Sequence, residues 1–182
     1  MIAIIPARFA STRFPGKPLA LLHGKPVIQH VCERCLESRL LSAVYVATDD
    51  KRIMKAVECF GGKAIMTSKR HQSGTDRIAE ALAKLGQTFA PETLILNVQG
   101  DEPLIDSKTI SALLKQMQKS NAAMGSLMTV ITDPEMLDDP NTVKVITGKD
   151  GYAIYFSRSG IPFNRDKLPG VTYYRHIGVY AY

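Results

Sequence analysis

The sequence predicts an α/β chain of three layers, a mostly parallel central sheet with helices on both faces, continued by a mixed or antiparallel C-terminal extension. Three observations carry that reading. Over roughly the first 120 residues, short apolar runs alternate with amphipathic helical ones, the βαβα rhythm that builds a parallel sheet. Beyond residue 120 the long helical patterns stop, and strand-like runs alternate with turn-rich pieces such as Asp138-Asp139-Pro140-Asn141 and Lys149-Asp150-Gly151. Finally, the first apolar run leads directly into a loop carrying three cations, Arg8, Arg13 and Lys17. Open α/β sheets bind ligands at that place, beyond the carboxyl ends of their strands.

Taken in order, strands are expected at Ile2–Pro6, Ala43–Thr48, Lys63–Thr67 and Thr93–Gln99, and helices at Pro26–Ser38, Asp50–Phe60, Thr75–Leu85 and Ser107–Lys119. Pro26 suits the first turn of its helix, where a missing N–H costs little. Asp106 suits an N-cap, and Gly61-Gly62 a helix stop. The extension reads as strands at Gly125–Ile131, Val143–Thr147, Tyr152–Phe156 and His176–Tyr182. We read residues 1–182 as one domain in two parts, roughly 1–120 and 121–182. The chain ends inside a strand-like run, which leads us to expect that a C-terminal part is missing.

Composition narrows the function classes. The 182 residues suffice for a domain with a real core, and the hydrophobic share of 45% is that of a globular protein. A net charge of +6 favours anionic partners. The basic residues form no run of five and do not interleave with aromatics, so no nucleic acid is expected. No stretch reaches the about 18 apolar residues of a membrane span, and the N-terminus lacks a signal-peptide layout. The three cysteines, Cys32, Cys35 and Cys59, are too few for a disulfide scaffold and point to a reducing cytoplasm. Cys32-Glu33-Arg34-Cys35 has C-x-x-C spacing, but it lies in a helical pattern without a second ligand pair and reads as helix packing.

Three segments carry chemistry. In Pro6-Ala7-Arg8 through Lys17, the guanidiniums of Arg8 and Arg13 and the ammonium of Lys17 match the charge of a triphosphate, with backbone N–H groups around Ala10, Ser11 and Gly16 assisting. The loop is neither G-x-x-x-x-G-K-[ST] nor G-x-G-x-x-G, which argues against P-loop NTPases and dinucleotide dehydrogenases. In Asn97-Val98-Gln99-Gly100-Asp101-Glu102-Pro103, Asp101 emerges at the same sheet edge as Arg8, where one carboxylate suits Mg²⁺ bridging phosphate oxygens. Glu102, before a proline, reads as a turn residue. In Gln72-Ser73-Gly74-Thr75-Asp76-Arg77, hydroxyls and N–H groups at a helix start suit a base or ribose edge, and Arg77 a phosphate. A plain N-cap role for Ser73 or Thr75 is the competing reading, and His71 beside them reads as a solvated loop residue.

These segments, with Tyr155-Phe156-Ser157-Arg158-Ser159 and Arg175-His176-Ile177-Gly178-Val179-Tyr180-Ala181-Tyr182, closely resemble the 3-deoxy-manno-octulosonate (Kdo) cytidylyltransferase family over the whole chain and in the same order. The resemblance implies a sandwich of the nucleotide-diphospho-sugar transferase type. It implies transfer of CMP from CTP to a glycosyl acid in lipopolysaccharide precursor synthesis, with Mg²⁺ as cofactor and a homodimer at full length. It makes Arg8, Lys17 and Asp101 catalytic and Asp101 the metal ligand. CTP would be lined by Ala7, Arg8, Ser11, Arg13, Lys17, Ser73, Gly74 and Arg77, and the sugar acid by Gln99, Arg158 and His176. An arginine is apt for Arg158, since a guanidinium fork matches a carboxylate. Sialic acid or 8-amino Kdo as the acceptor, or a CTP-binding chain without turnover, are the alternatives. Gly160 departs from the family pattern. So does the absence of the family's C-terminal segment, which holds a Glu-Gln pair near the sugar, a second Mg²⁺ aspartate and much of the dimer surface.

Overall fold

The computed structural model describes residues 1–10, 14–86, 89–90 and 92–182. In chain order these form β1 (Ile2–Ala7), a short 3₁₀ turn (Lys17–Leu19), the two-residue strands β2 (Leu21–Leu22) and β3 (Lys25–Pro26), α1 (Val27–Leu36), β4 (Ala43–Thr48), α2 (Lys51–Cys59), β5 (Lys63–Met66), α3 (Gly74–Lys84), β6 (Ile95–Val98) and α4 (Ser107–Lys119). There follow β7 (Gly125–Val130), a one-turn helix α5 (Glu135–Asp138), β8 (Lys144–Thr147), β9 (Ala153–Ser157) and β10 (Tyr174–Ala181). The long elements lie where hydrophobic periodicity puts them. The 3₁₀ turn, the β2–β3 hairpin and α5 are too short to show a period, and the expected strand at Thr93–Gln99 pairs over only Ile95–Val98.

Two compact units result, Met1–Gly125 with Val179–Tyr182, and Ser126–Gly178. In the first, the strand order is β5-β4-β1-β6, all parallel, with Val179–Ala181 of β10 antiparallel to β6. β1 is apolar at every position and buried except at Pro6, as a strand covered on both faces must be. Ile2 and Ile4 meet Ile78 and Ala81 of α3, together with Ala47 and Ile95. Alternation sends Ala3 and Ile5 to the other face. There α1 and α4 lie together, and just past the end of α1 the Ser38 Oγ stands 3.0 Å from Ser111 Oγ of α4. The caps are those expected: Asp106 accepts from the Lys108 N–H, and Gly61 follows α2 with φ +80°.

In the second unit β8 and β9 form an antiparallel pair in which Lys144 faces Ser157, and Arg175 of β10 pairs with Lys144. The extension is therefore antiparallel, as its turn-rich sequence predicts. The expected partner of an outward strand lysine is water, yet the Lys144 side chain is fully buried. Its ammonium donates to the carbonyls of Asp139 at 3.0 Å, Thr142 at 2.8 Å and Arg158 at 2.6 Å. Three carbonyl dipoles replace the solvation that a buried charge requires.

Candidate active site

The strand order positions the site. From β1 the chain moves outward through β4 to β5, then crosses back to place β6 on the other side of β1. The crevice between β1 and β6 is the topological switch point, where an open α/β sheet takes its ligand. Ile4 pairs with Asn97, and the same register carried past the strand ends sets Arg8 level with Asp101. A cavity of about 300 Å³ opens there, walled by Ala7, Arg8 and Lys17, by His71 to Gly74 and Arg77, and by Gln99 to Asp101. Thus Ala7, Arg8, Lys17, Ser73, Gly74, Arg77, Gln99 and Asp101, eight of the residues singled out from sequence, line one cavity. Ser11 and Arg13 lie outside the described residues.

Close backbone approach makes this crevice. A Cβ on Gly100 would stand 3.0 Å from the Pro6 carbonyl oxygen and 3.3 Å from the Ala7 Cβ. Gly16 closes the cationic loop: its N–H donates to the Phe9 carbonyl at 2.9 Å, its φ is +74°, and the Phe9 ring lies where a side chain would go. The guanidinium of Arg52 stacks 3.4 Å from the centre of that ring while also binding Asp50 at 2.7 Å. Lys17 then starts the 3₁₀ turn, and its ammonium reaches Asp101 Oδ2 at 2.7 Å.

Arg77 lines the cavity as expected, but its guanidinium already has partners of its own. Its guanidinium is buried, donating to Asp49 Oδ2 at 2.8 Å and Thr67 Oγ1 at 2.6 Å. Asp49 follows β4 and Thr67 follows β5, so Arg77 ties two strand ends together behind the cavity. Ser73 is the N-cap of α3. Its hydroxyl accepts from the Asp76 N–H at 3.1 Å and donates to Asp76 Oδ2 at 2.7 Å. Gly74 lets α3 start against Pro6, whose Cγ would lie 3.2 Å from an added Cβ.

His71 departs from the sequence reading as well. Rather than a solvated loop residue, it lines the cavity and bonds through Nε2 to Glu80 Oε2. Glu80 also accepts from the Ser68 N–H at 2.8 Å and from Lys84 at 2.7 Å. Lys84 first, then the Ser68 N–H and His71, hold the Glu80 carboxyl down at about 2. The nine-residue separation of His71 and Glu80 has no helical or strand periodicity, so only the fold reveals the pair.

Asp101 has the donor chemistry for Mg²⁺: a hard carboxylate, partly exposed, at the cavity edge and level with the cations. Among the described residues no cluster of three metal-ligating side chains exists. One carboxylate completed by phosphate oxygens and water is how Mg²⁺ is commonly held at phosphates.

The other expected sugar-acid residues belong to the second unit. Arg158 donates through Nη1 to the Pro140 carbonyl at 2.6 Å. His176 lies half-buried 2.7 Å from Ser126 Oγ and edge-on to Phe156, and burial pushes its imidazole below the ordinary value. The C-x-x-C pair is core packing as expected: Cys32 and Cys35 are buried, and desolvation pushes the Cys32 thiol up to about 12, far from the thiolate that metal or redox work requires. Among the described residues no helix is long and apolar enough to cross a membrane.

Comparison with known proteins identifies the family and the fold. A family model described as Cytidylyltransferase matches residues 2–182. The 3-deoxy-manno-octulosonate cytidylyltransferase of Thermodesulfovibrio yellowstonii is 52% identical over 189 residues, covering all of this chain and 74% of that protein. The 8-amino-3,8-dideoxy-manno-octulosonate cytidylyltransferase of Shewanella amazonensis is 50% identical, covering 98% of this chain and 73% of that protein. A solved CMP:2-keto-3-deoxy-manno-octonic acid synthetase complexed with CTP superposes with a TM-score of 0.89 at 44% identity, covering this whole chain and 73% of the other. With a cavity lined by Arg8, Lys17 and Asp101 at the switch point of the matching fold, the chain belongs to the cytidylyltransferase family, among the enzymes of 3-deoxy-manno-octulosonate type.

Proposed function

We propose that this chain transfers CMP from CTP to the anomeric hydroxyl of Kdo, giving CMP-Kdo and pyrophosphate. The observation that carries the reading is the meeting of Arg8, Lys17 and Asp101 at one crevice, in a chain 52% identical to a Kdo cytidylyltransferase. Arg8 and Lys17 hold the β and γ phosphates, where charge builds as pyrophosphate leaves, and Arg13 assists from the same loop. Ala7 lines the nucleotide beside them. Gly100 admits the phosphate tail close to the backbone, and Ser73 and Gly74 present the start of α3 to the nucleotide. Asp101 is the residue that would hold Mg²⁺; when bound, the ion neutralises phosphate charge and favours ionisation of the attacking hydroxyl. The sugar-acid roles are those the family resemblance implies, Gln99 in the first unit and His176 and Arg158 in the second, the Arg158 guanidinium suiting the substrate's carboxylate. We place the reaction in the cytoplasm and the assembled enzyme as a homodimer, which light scattering would check.

A second reading has its own support, the 50% identity to an 8-amino-Kdo enzyme. The phosphate half of the site would serve both acceptors. Pyrophosphate release tests the main reading: it should need CTP, Mg²⁺ and Kdo together, and Arg8→Ala should lower it by at least about 10²-fold. Release with 8-amino Kdo but not Kdo would favour the second reading. No release with either sugar would refute both.

A further inference from the structure

We propose that His71 selects cytosine: its Nδ1 accepts a hydrogen from the 4-amino group of the base and repels the O4 of uracil. The inference deepens the proposed function and rests on it, since it takes the cavity to be the CTP site.

The cavity walls divide by chemistry. Arg8 and Lys17 beyond β1, with Asp101 beyond β6, offer the charges that suit phosphates and a cation. The segment between β5 and α3 offers His71, Gln72 and Ser73, hydrogen-bonding side chains that suit the polar edge of a base. Within that wall, most polar side chains cannot tell a 4-amino group from a 4-oxo group. The Gln72 amide carries both a donor and an acceptor and satisfies either base by turning over. Ser73 spends its hydroxyl on Asp76, and Arg77 spends its guanidinium on Asp49 and Thr67.

His71 differs because its polarity is imposed. Glu80 is locked by the Ser68 N–H at 2.8 Å and by Lys84 at 2.7 Å, and is ionised at any neutral pH. An ionised carboxylate only accepts, so the His71 nitrogen on it, Nε2, must be the one that carries the proton. In the neutral ring Nδ1 is then an acceptor, and among the described residues nothing bonds to it. A fixed acceptor in the wall rewards a base with an N–H on its edge. Against O4 it sets lone pair to lone pair, the mismatch that gives polar sites their selectivity. Glu80 acts through His71 and is a positioning residue.

Calorimetric titration of the chain with CTP and with UTP tests this. The unaltered chain should bind CTP more tightly. In His71→Ala the ratio of the two affinities should fall at least about tenfold, through weaker CTP binding with UTP unchanged or improved. Glu80→Ala should shift the ratio the same way, because it removes the acceptor that keeps the ring proton on Nε2 and leaves the tautomer free. His71→Ala binding both nucleotides with the original ratio, whatever the absolute affinity, would overturn the proposal. CTP binding without turnover of any sugar acid would instead overturn the proposed function, and the ratio would still decide the role of His71. No binding of either nucleotide would end both.

Discussion

The Lys17 ammonium lies 2.7 Å from the Asp101 carboxylate, 84 positions away in the chain. The two groups come from loops beyond neighbouring parallel strands, and the register of β1 on β6 brings them together. Their side chains are 41% and 48% exposed, so the pair itself adds little stability, within about 1 kcal/mol. Lys17→Met and Asp101→Asn should therefore leave the thermal midpoint almost unchanged while lowering kcat/KM for CTP by at least about 10²-fold. Differential scanning calorimetry beside a pyrophosphate assay separates the two effects.

Arg77 and Asp49 should behave in the opposite way. Theirs is a buried pair at 2.8 Å, with Thr67 taking a further guanidinium N–H. Arg77→Met leaves Asp49 uncompensated and should cost about 3 kcal/mol of unfolding free energy, read from urea titration. Any loss of nucleotide affinity in that variant should follow from the loosened ends of β4 and β5.

Gly100→Ala probes the crevice without touching charge. The new Cβ would press on the Pro6 carbonyl oxygen and the Ala7 Cβ, at 3.0 and 3.3 Å. Overpacking of that kind costs about 1–3 kcal/mol. Because it acts at the mouth of the phosphate cradle, CTP affinity should drop along with stability, and calorimetry reports both.

Acid should weaken the fold in a defined window. Arg52 chiefly holds the Asp50 carboxyl at about 2, and Lys84, the Ser68 N–H and His71 do the same for Glu80. With both values depressed in the folded state, the unfolded chain binds more protons as the pH drops. Their stabilisation is present in full above the ordinary carboxylate range and is lost as the pH falls from about 4.5 toward 2. His176, depressed by burial, adds a loss that begins as the pH falls through about 6.5. Urea midpoints at a series of pH values should show both, and Asp50→Asn should flatten the lower limb.

Lys144→Met should destabilise the second unit by about 3 kcal/mol, because the carbonyls of Asp139, Thr142 and Arg158 lose their shared donor. Since one of them belongs to Arg158, the KM for Kdo should rise before that for CTP does.

Much of this arrangement is legible in the sequence. The alternation of apolar runs gives the parallel sheet, Asp106 and Gly61 mark helix ends, and a strand running straight into Arg8 places the cations at a sheet edge. Partnerships across the fold are not legible. Arg77 looks like a phosphate ligand because nothing local reveals Asp49, which comes beside it only through the register of β4 and β5. His71 looks solvated because its partner Glu80 sits on the next helix. Nothing local marks Lys144 as buried, because its acceptors are backbone carbonyls, which side-chain patterns do not encode.

A crystal structure of the chain soaked with CTP tests the central claim most directly. The account expects the triphosphate in the crevice between β1 and β6, its oxygens within hydrogen-bond distance of Arg8 and Lys17 and its tail facing Asp101. CTP bound elsewhere while that crevice stays empty, or phosphates turned away from all three side chains, would contradict it.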